Sequence, residues 1–181
     1  MKIRLLLALA GLAISFAWPT FAQQKEPSSS GQAAEKKKIT GTNKEGPFIS
    51  RTLVPPAPGD DPKHELVALV IYRDTTTSSD PDHDGTEQIR YEQDDEVAGP
   101  GTHRGYFRRL FKNGDIDYGT YEGTHKTTVK ADGSWETTTW EGAWKVIGGT
   151  GKFKNVKGGG TYRGKATAQV SSTDWEGEME Y

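Results

Sequence analysis

In the last seven residues, Trp175-Glu176-Gly177-Glu178-Met179-Glu180-Tyr181, one set of alternate positions carries Trp, Gly, Met and Tyr, and the other carries only Glu. That period of two marks a β-strand buried on one side. Broken by turn residues, similar segments run back through the chain. Glu65–Tyr72 is a short, nearly continuous apolar run of β-favouring residues and predicts a buried strand. Thr86–Glu92 predicts another, ended by the charge crowding of Asp94-Asp95-Glu96 and the turn chemistry of Gly99-Pro100-Gly101. His103–Phe111 follows. Lys112-Asn113-Gly114-Asp115 then predicts a hairpin, since Asn-Gly suits the positive φ values of a type I′ turn. Ile116–Val129 runs back, Ala131-Asp132-Gly133 turns the chain, and Ser134–Ile147 continues it. The pattern predicts no helix longer than a turn or two.

One unit recurs on these strands, aromatic-charged-Gly: Tyr121-Glu122-Gly123, Trp140-Glu141-Gly142, Tyr162-Arg163-Gly164 and Trp175-Glu176-Gly177. Alternation puts each aromatic, its glycine and the residue two further on (His125, Trp144, Ala166, Met179) on one face. Glu122, Glu141, Arg163 and Glu176 take the other. A glycine beside an aromatic lets a curved sheet bend while the ring covers the gap. The sum predicts an all-β domain over residues 63–181, an antiparallel up-and-down β-barrel of about eight strands. A barrel of that size is filled by its own side chains or holds one small ligand. The glycine-rich run around Gly151-Lys152-Phe153 is not a phosphate loop, because it lacks the Gly-Lys-Ser/Thr ending and a following helix.

The first third of the chain reads differently. Lys2 and Arg4 precede an uncharged, mostly apolar run, Leu5–Ala17, and Thr20-Phe21-Ala22 supplies small residues for cleavage before Gln23. Residues 1–22 are therefore read as a Sec-type signal peptide, with the mature protein bacterial and periplasmic or secreted. The apolar run is too short to span a bilayer, so no transmembrane anchor is expected in the mature chain. Residues 23–62 hold Ser28-Ser29-Ser30-Gly31, Lys36-Lys37-Lys38 and Pro55-Pro56-Ala57-Pro58-Gly59 and read as a flexible tether, with 48–54 as a segment able to dock at a sheet edge.

Composition narrows the function. The chain has no cysteine, so an exported domain must close on packing and strand pairing without disulfides. Loss of the leader removes two basic residues, moving the formal charge from −2 to −4, with 21 basic against 25 acidic residues. A mildly acidic chain points away from nucleic acid. Oligomeric state stays open, a homo-oligomer included.

Gly148-Gly149-Thr150-Gly151-Lys152-Phe153 followed by Gly158-Gly159-Gly160-Thr161-Tyr162-Arg163-Gly164 resembles the pattern of the allene oxide cyclase-like barrel family, relatives of the dirigent proteins, as a bacterial exported member. The close match covers about residues 140–165, with looser agreement back to His64. The resemblance implies an antiparallel eight-stranded barrel with an apolar central cavity. Plant cyclases of this kind rearrange a fatty-acid epoxide in that cavity, and dirigent proteins steer phenoxy-radical coupling. No position here is equated with a residue that carries either activity.

Four groups of residues are candidates for chemistry. Asp80-Pro81-Asp82-His83-Asp84-Gly85 matches the opening of a calcium loop, with Asp80, Asp82 and Asp84 as ligands, but Tyr91 stands where the closing Glu belongs. The other reading is a solvated acidic turn, and no further cofactor is implied. His125 shares the inward face with Tyr121 and Gly123 and is the one catalytic candidate, as a proton donor or acceptor, or else a core histidine. Arg109 alternates with Phe107 and Phe111, so it either enters the barrel to anchor a ligand carboxylate or faces solvent. Trp140, Trp144, Tyr162 and Trp175 form an aromatic wall, read as core or as a grip for a planar ligand. The leading expectation is binding of a small apolar or aromatic molecule by Phe107, Arg109, Tyr121, His125, Trp140, Trp144 and Tyr162. A cyclase or isomerase acting in the barrel, and a filled barrel serving as an interaction module, are the alternatives.

Overall fold

The computed structural model describes residues 36–181. The leader (1–22) and the first part of the tether (23–35) lie outside the described residues. Nine strands follow in order: β1 Lys36–Glu45, β2 Ser50–Val54, β3 His64–Ser78, β4 Glu87–Val97, β5 Pro100–Leu110, β6 Ile116–Val129, β7 Trp135–Gly149, β8 Lys157–Ala166 and β9 Ser171–Glu180, with one 3-10 turn at Gly151–Phe153. From β3 to β9 each strand pairs antiparallel with the next, as the alternating pattern predicts. β1 then pairs with both β9 and β3 and closes the sheet into a ring. β1 and β2 lie end to end along one edge of β3, β1 against Asp74–Ser78 and β2 against Leu66–Ile71. Eight ribs thus surround the interior, and β2 prolongs the first of them beyond the pairing of β1 with β9.

Two expectations are corrected here. Lys36–Glu45 was assigned to the tether, yet it is the strand that shuts the barrel. Its lysine run suggested a solvated tail, but on a strand those side chains stay exposed while Ile39 and Asn43 turn inward and are buried. The acidic run Asp94-Asp95-Glu96 was taken as the end of a strand, yet β4 runs straight through it. Alternation relieves the crowding, since Asp94 and Glu96 line the interior while Asp95 points out to His64.

The hairpin at Asn113-Gly114 forms, but with only Gly114 at positive φ (86°) and a three-residue loop closed by Phe111 N–H to Asp115 O. The type I′ expectation is therefore corrected; a type I turn followed by a left-handed glycine serves the same strands. A loop with both central residues at positive φ occurs instead at Ala98-Gly99.

The glycines of the recurring unit receive rings from neighbouring strands. In one row of paired positions His103 meets Gly123, then Gly142, Tyr162, Trp175 and Gly41. A Cβ at Gly142 would run into the backbone oxygen of Glu122 and the ring of Tyr162. One at Gly164 would collide with the indole of Trp140, its direct cross-strand partner. Beyond allowing a bend, these glycines free space for rings lying flat along the inner surface.

One end of the barrel is solid. Phe111 and Phe153 stack with centroids 3.8 Å apart, and Val146, Val156, Met179 and Ile39 pack around them. His83 sits edge-on to Phe111 at 5.1 Å, carried there by the loop between β3 and β4, so that this loop plugs the end.

Candidate functional site

Above the solid end lies a cavity of about 640 Å³, flanked at its mouth by the exposed rings of Phe48 and Trp135. Its wall has two halves. β5 to β9 contribute Phe107, Tyr121, Trp140, Trp144, Tyr162 and Trp175; β1 to β4 contribute Glu45, Arg51, Glu65, Arg90, Glu92, Asp94 and Glu96. All seven residues expected from the sequence to touch a ligand, Phe107, Arg109, Tyr121, His125, Trp140, Trp144 and Tyr162, line this one space.

On the aromatic half, the indole N–H groups are tied back into the wall. Trp140 donates to Thr173 Oγ1 at 2.9 Å, Trp175 to Asn43 Oδ1 at 3.0 Å and Trp144 to the Glu176 carbonyl at 3.3 Å. Tyr162, laid across Gly142 and Gly123, reaches His103 Nε2 at 2.6 Å. What remains for an occupant on this side is ring surface. Tyr121 is the exception: its Oη is buried and, with the Glu92 carboxyl nearby, makes no aligned hydrogen bond. It lies close enough to Glu92 to feel its charge, but burial first and that charge second push its phenol far above the usual tyrosine range.

The charged half centres on Arg90. Its Nε donates to Asp74 Oδ2 at 2.6 Å, Nη1 lies 3.4 Å from Glu92 Oε2, and Glu45 Oε1 is 2.7 Å from Nη2, out of line with its N–H bonds. Glu45 is held in turn by the Ser171 and Thr173 hydroxyls. The guanidinium also covers the Tyr72 ring at 4.6 Å. Burial raises the pKa of Asp74 and Glu92 even against the Arg90 charge. Asp94 is pushed up to about 8, by burial first and then by Glu92. His103 is driven down to about 4 by burial, with His125 and Arg90 adding to it, so it is a neutral imidazole at physiological pH. His125 pairs with Glu96 at 3.1 Å and stacks on His103 with centroids 5.8 Å apart, so the one catalytic candidate faces the cavity beside a carboxylate.

Arg109 does enter the barrel, but its fork is filled. Nε and Nη2 donate to the two Asp117 oxygens at 2.8 and 2.6 Å. Burial pushes the Asp117 carboxyl up, and Arg109 outweighs that and holds it below its ordinary pKa. Arg109 therefore offers no vacant bidentate face to a ligand carboxylate.

The three acids of the calcium pattern point to separate partners. Asp80 is buried against Lys37, the His83 ring and the Tyr181 hydroxyl, Asp82 pairs with Lys152 at 2.6 Å, and Asp84 accepts from the Ser78 N–H. Among the described residues no three acids or histidines are grouped to hold a metal. Hydrogen bonds from the Asp82 N–H, Lys37 and Tyr181 outweigh burial and hold Asp80 at about 2.

Sequence reasoning missed Glu45, Arg90, Glu92, Asp94, Glu96 and His103. β4 inverts the usual rule, turning Gln88, Arg90, Glu92, Asp94 and Glu96 inward and Tyr91 and Val97 out to solvent. The signal was the cross-strand register: once β4 and β5 form a hairpin, Arg90 must face Phe107 and Asp94 must face His103. Comparison of the chain with models of protein families and with curated protein sequences gives no match.

Proposed function

We propose that this chain is an exported binding protein that holds a small aromatic or otherwise planar molecule in its barrel, outside the cytoplasm, as a relative of the allene oxide cyclase-like barrels. One observation carries the reading: aromatic rings, with their indole N–H groups already bonded, bound one side of a 640 Å³ cavity and present only their faces. A space of that size suits a ligand of drug-like dimensions. A filled barrel acting only through its loops is disfavoured by the same cavity. The apolar cavity that the resemblance implies is altered here by the charged half.

Calorimetric titration with 2-ethylnaphthalene tests the reading. Saturable one-to-one binding that Trp144→Ala abolishes supports it, and no heat up to the solubility limit, from this hydrocarbon or from an amine or carboxylate on the same ring system, overturns it.

A second reading, proton-transfer catalysis of the isomerase or cyclase kind, is favoured by the His125–Glu96 pair within the cavity. It predicts that a ligand recovered with the protein exchanges a carbon-bound proton with deuterated water, and that His125→Gln stops the exchange. Exchange at the same rate in the variant removes this reading.

A further inference from the structure

Resting on the binding reading above, we propose that the ligand carries a positively charged nitrogen on its aromatic body, and that this ammonium sits between Glu92, Asp94 and the ring of Tyr121. The inward face holds seven carboxyl groups: Glu45, Glu65, Glu92, Asp94 and Glu96 line the cavity, with Asp74 and Asp117 beside its arginines. Among the described residues three guanidinium groups answer them, and carboxylates surround each, although Arg90 Nη2 lies beside Glu45 without an aligned hydrogen bond. Arg109 is filled by Asp117, Arg51 pairs with Glu65, and Arg90 is divided among Asp74, Glu45 and Glu92. Two carboxyl groups, Asp94 and Glu96, are left without a guanidinium partner. Glu96 has His125, whereas Asp94 faces Glu92 and has no salt bridge to an arginine, lysine or histidine among the described residues.

A second, independent feature points to the same place. The Tyr121 Oη, on a residue only 7% exposed that lines the cavity, has the Glu92 carboxyl near it but no aligned hydrogen bond, so an N–H donor from an occupant would satisfy it. The ring faces act in the same direction, because an aromatic face attracts a cation through its quadrupole and does so most strongly where water is excluded. A carboxylate on the ligand would meet these acids, and the one guanidinium nitrogen without an aligned hydrogen bond, Arg90 Nη2, already faces Glu45 at 2.7 Å, so a carboxylate is disfavoured. Burial first, and for Asp94 the neighbouring Glu92 second, raise the pKa of both acids, so an ammonium placed between them would draw them toward the ionised form.

Three probes sharing one ring system separate the possibilities by calorimetry at about pH 8.5, above the Asp94 pKa of about 8: 2-(2-naphthyl)ethylamine, 2-ethylnaphthalene and 2-naphthylacetate. The amine is expected to bind about tenfold or more tighter than the neutral hydrocarbon, and the acetate more weakly than both. Asp94→Asn, which keeps the shape, is expected to remove most of the amine's advantage over the hydrocarbon. Glu92→Gln is the second variant, with melting curves showing that both fold. Equal affinity for the three probes, tighter binding of the acetate, or an amine advantage that survives both variants overturns the cationic proposal and leaves the aromatic-binding reading standing. No binding of any probe overturns both.

Discussion

The two halves of the barrel's inner surface solve the problem of lining a cavity in opposite ways. On β6 to β9 large rings are made to fit by glycines on neighbouring strands, so this half is built from steric complementarity. On β1 to β4 Gly41 alone serves a cavity ring in this way, that of Trp175, and the rest of the wall depends on one buried guanidinium that holds three carboxylates drawn from three strands. Shape stabilises the first half and charge the second. Their responses to mutation and pH must therefore differ in kind, since van der Waals clashes ignore pH while buried acids do not.

Gly142→Val is the largest expected effect. The added carbons would strike the Glu122 carbonyl and displace Tyr162, and the backbone on both sides is fixed by pairing, so no cooperative melting transition is expected. An unchanged melting temperature removes the steric account of this half. On the charged half, Arg90→Met should cost about 3–5 kcal/mol, because Asp74, Glu45 and Glu92 lose their common cation. Chemical denaturation at pH 7 measures it, and the loss should shrink as the acids become protonated at low pH. A loss independent of pH would make Arg90 a packing residue.

Smaller effects sharpen the contrast. Asp94 has a folded pKa near 8, raised above its unfolded value near 3.8, so its contribution is complete below about pH 4 and is lost as pH rises toward 8. Asp94→Asn should accordingly raise the melting temperature by a few degrees at pH 8, roughly what 1 kcal/mol yields in a domain of this size, and change little at pH 4. His103 runs the other way. Its pKa is depressed to about 4, so its contribution is present above about pH 6.5 and lost on acidification. His103→Gln should flatten that acid limb, and melting curves from pH 4 to 8 read both. Smallest of all, Asp82→Ala removes only the exposed pair with Lys152 and should shift stability by under about 1 kcal/mol. Added calcium should leave the melting temperature of either protein unmoved, because the loop acids point apart.

How far the sequence could be read also divides along this line. The aromatic half was legible because its unit repeats and its alternation is clean; Trp140, Trp144, Tyr162 and Trp175 were placed on the inner face by period alone. The charged half was hidden by the same rule. Arg90, Glu92 and Asp94 look like the solvent face of a strand whose Tyr91 looks like core, and only pairing with β5 reverses the assignment. β1 was missed for a related reason: three lysines followed by Ile39-Thr40-Gly41 carry too little apolar content to announce a strand. Its place depends on β9 and β3, more than a hundred and some thirty residues away in sequence respectively. Asp80 and His83, read as part of an acidic loop, plug the solid end through contacts with Tyr181 and Phe111 that no local pattern encodes.

The central claim is that the unfilled half of this barrel is a binding site with one aromatic and one acidic wall. Native mass spectrometry of the protein purified from the cells that make it tests this most directly. The account predicts a single retained small molecule whose released mass and fragments show an aromatic ring bearing a basic nitrogen. Retention of an aliphatic acid or a phosphate ester in its place would contradict it.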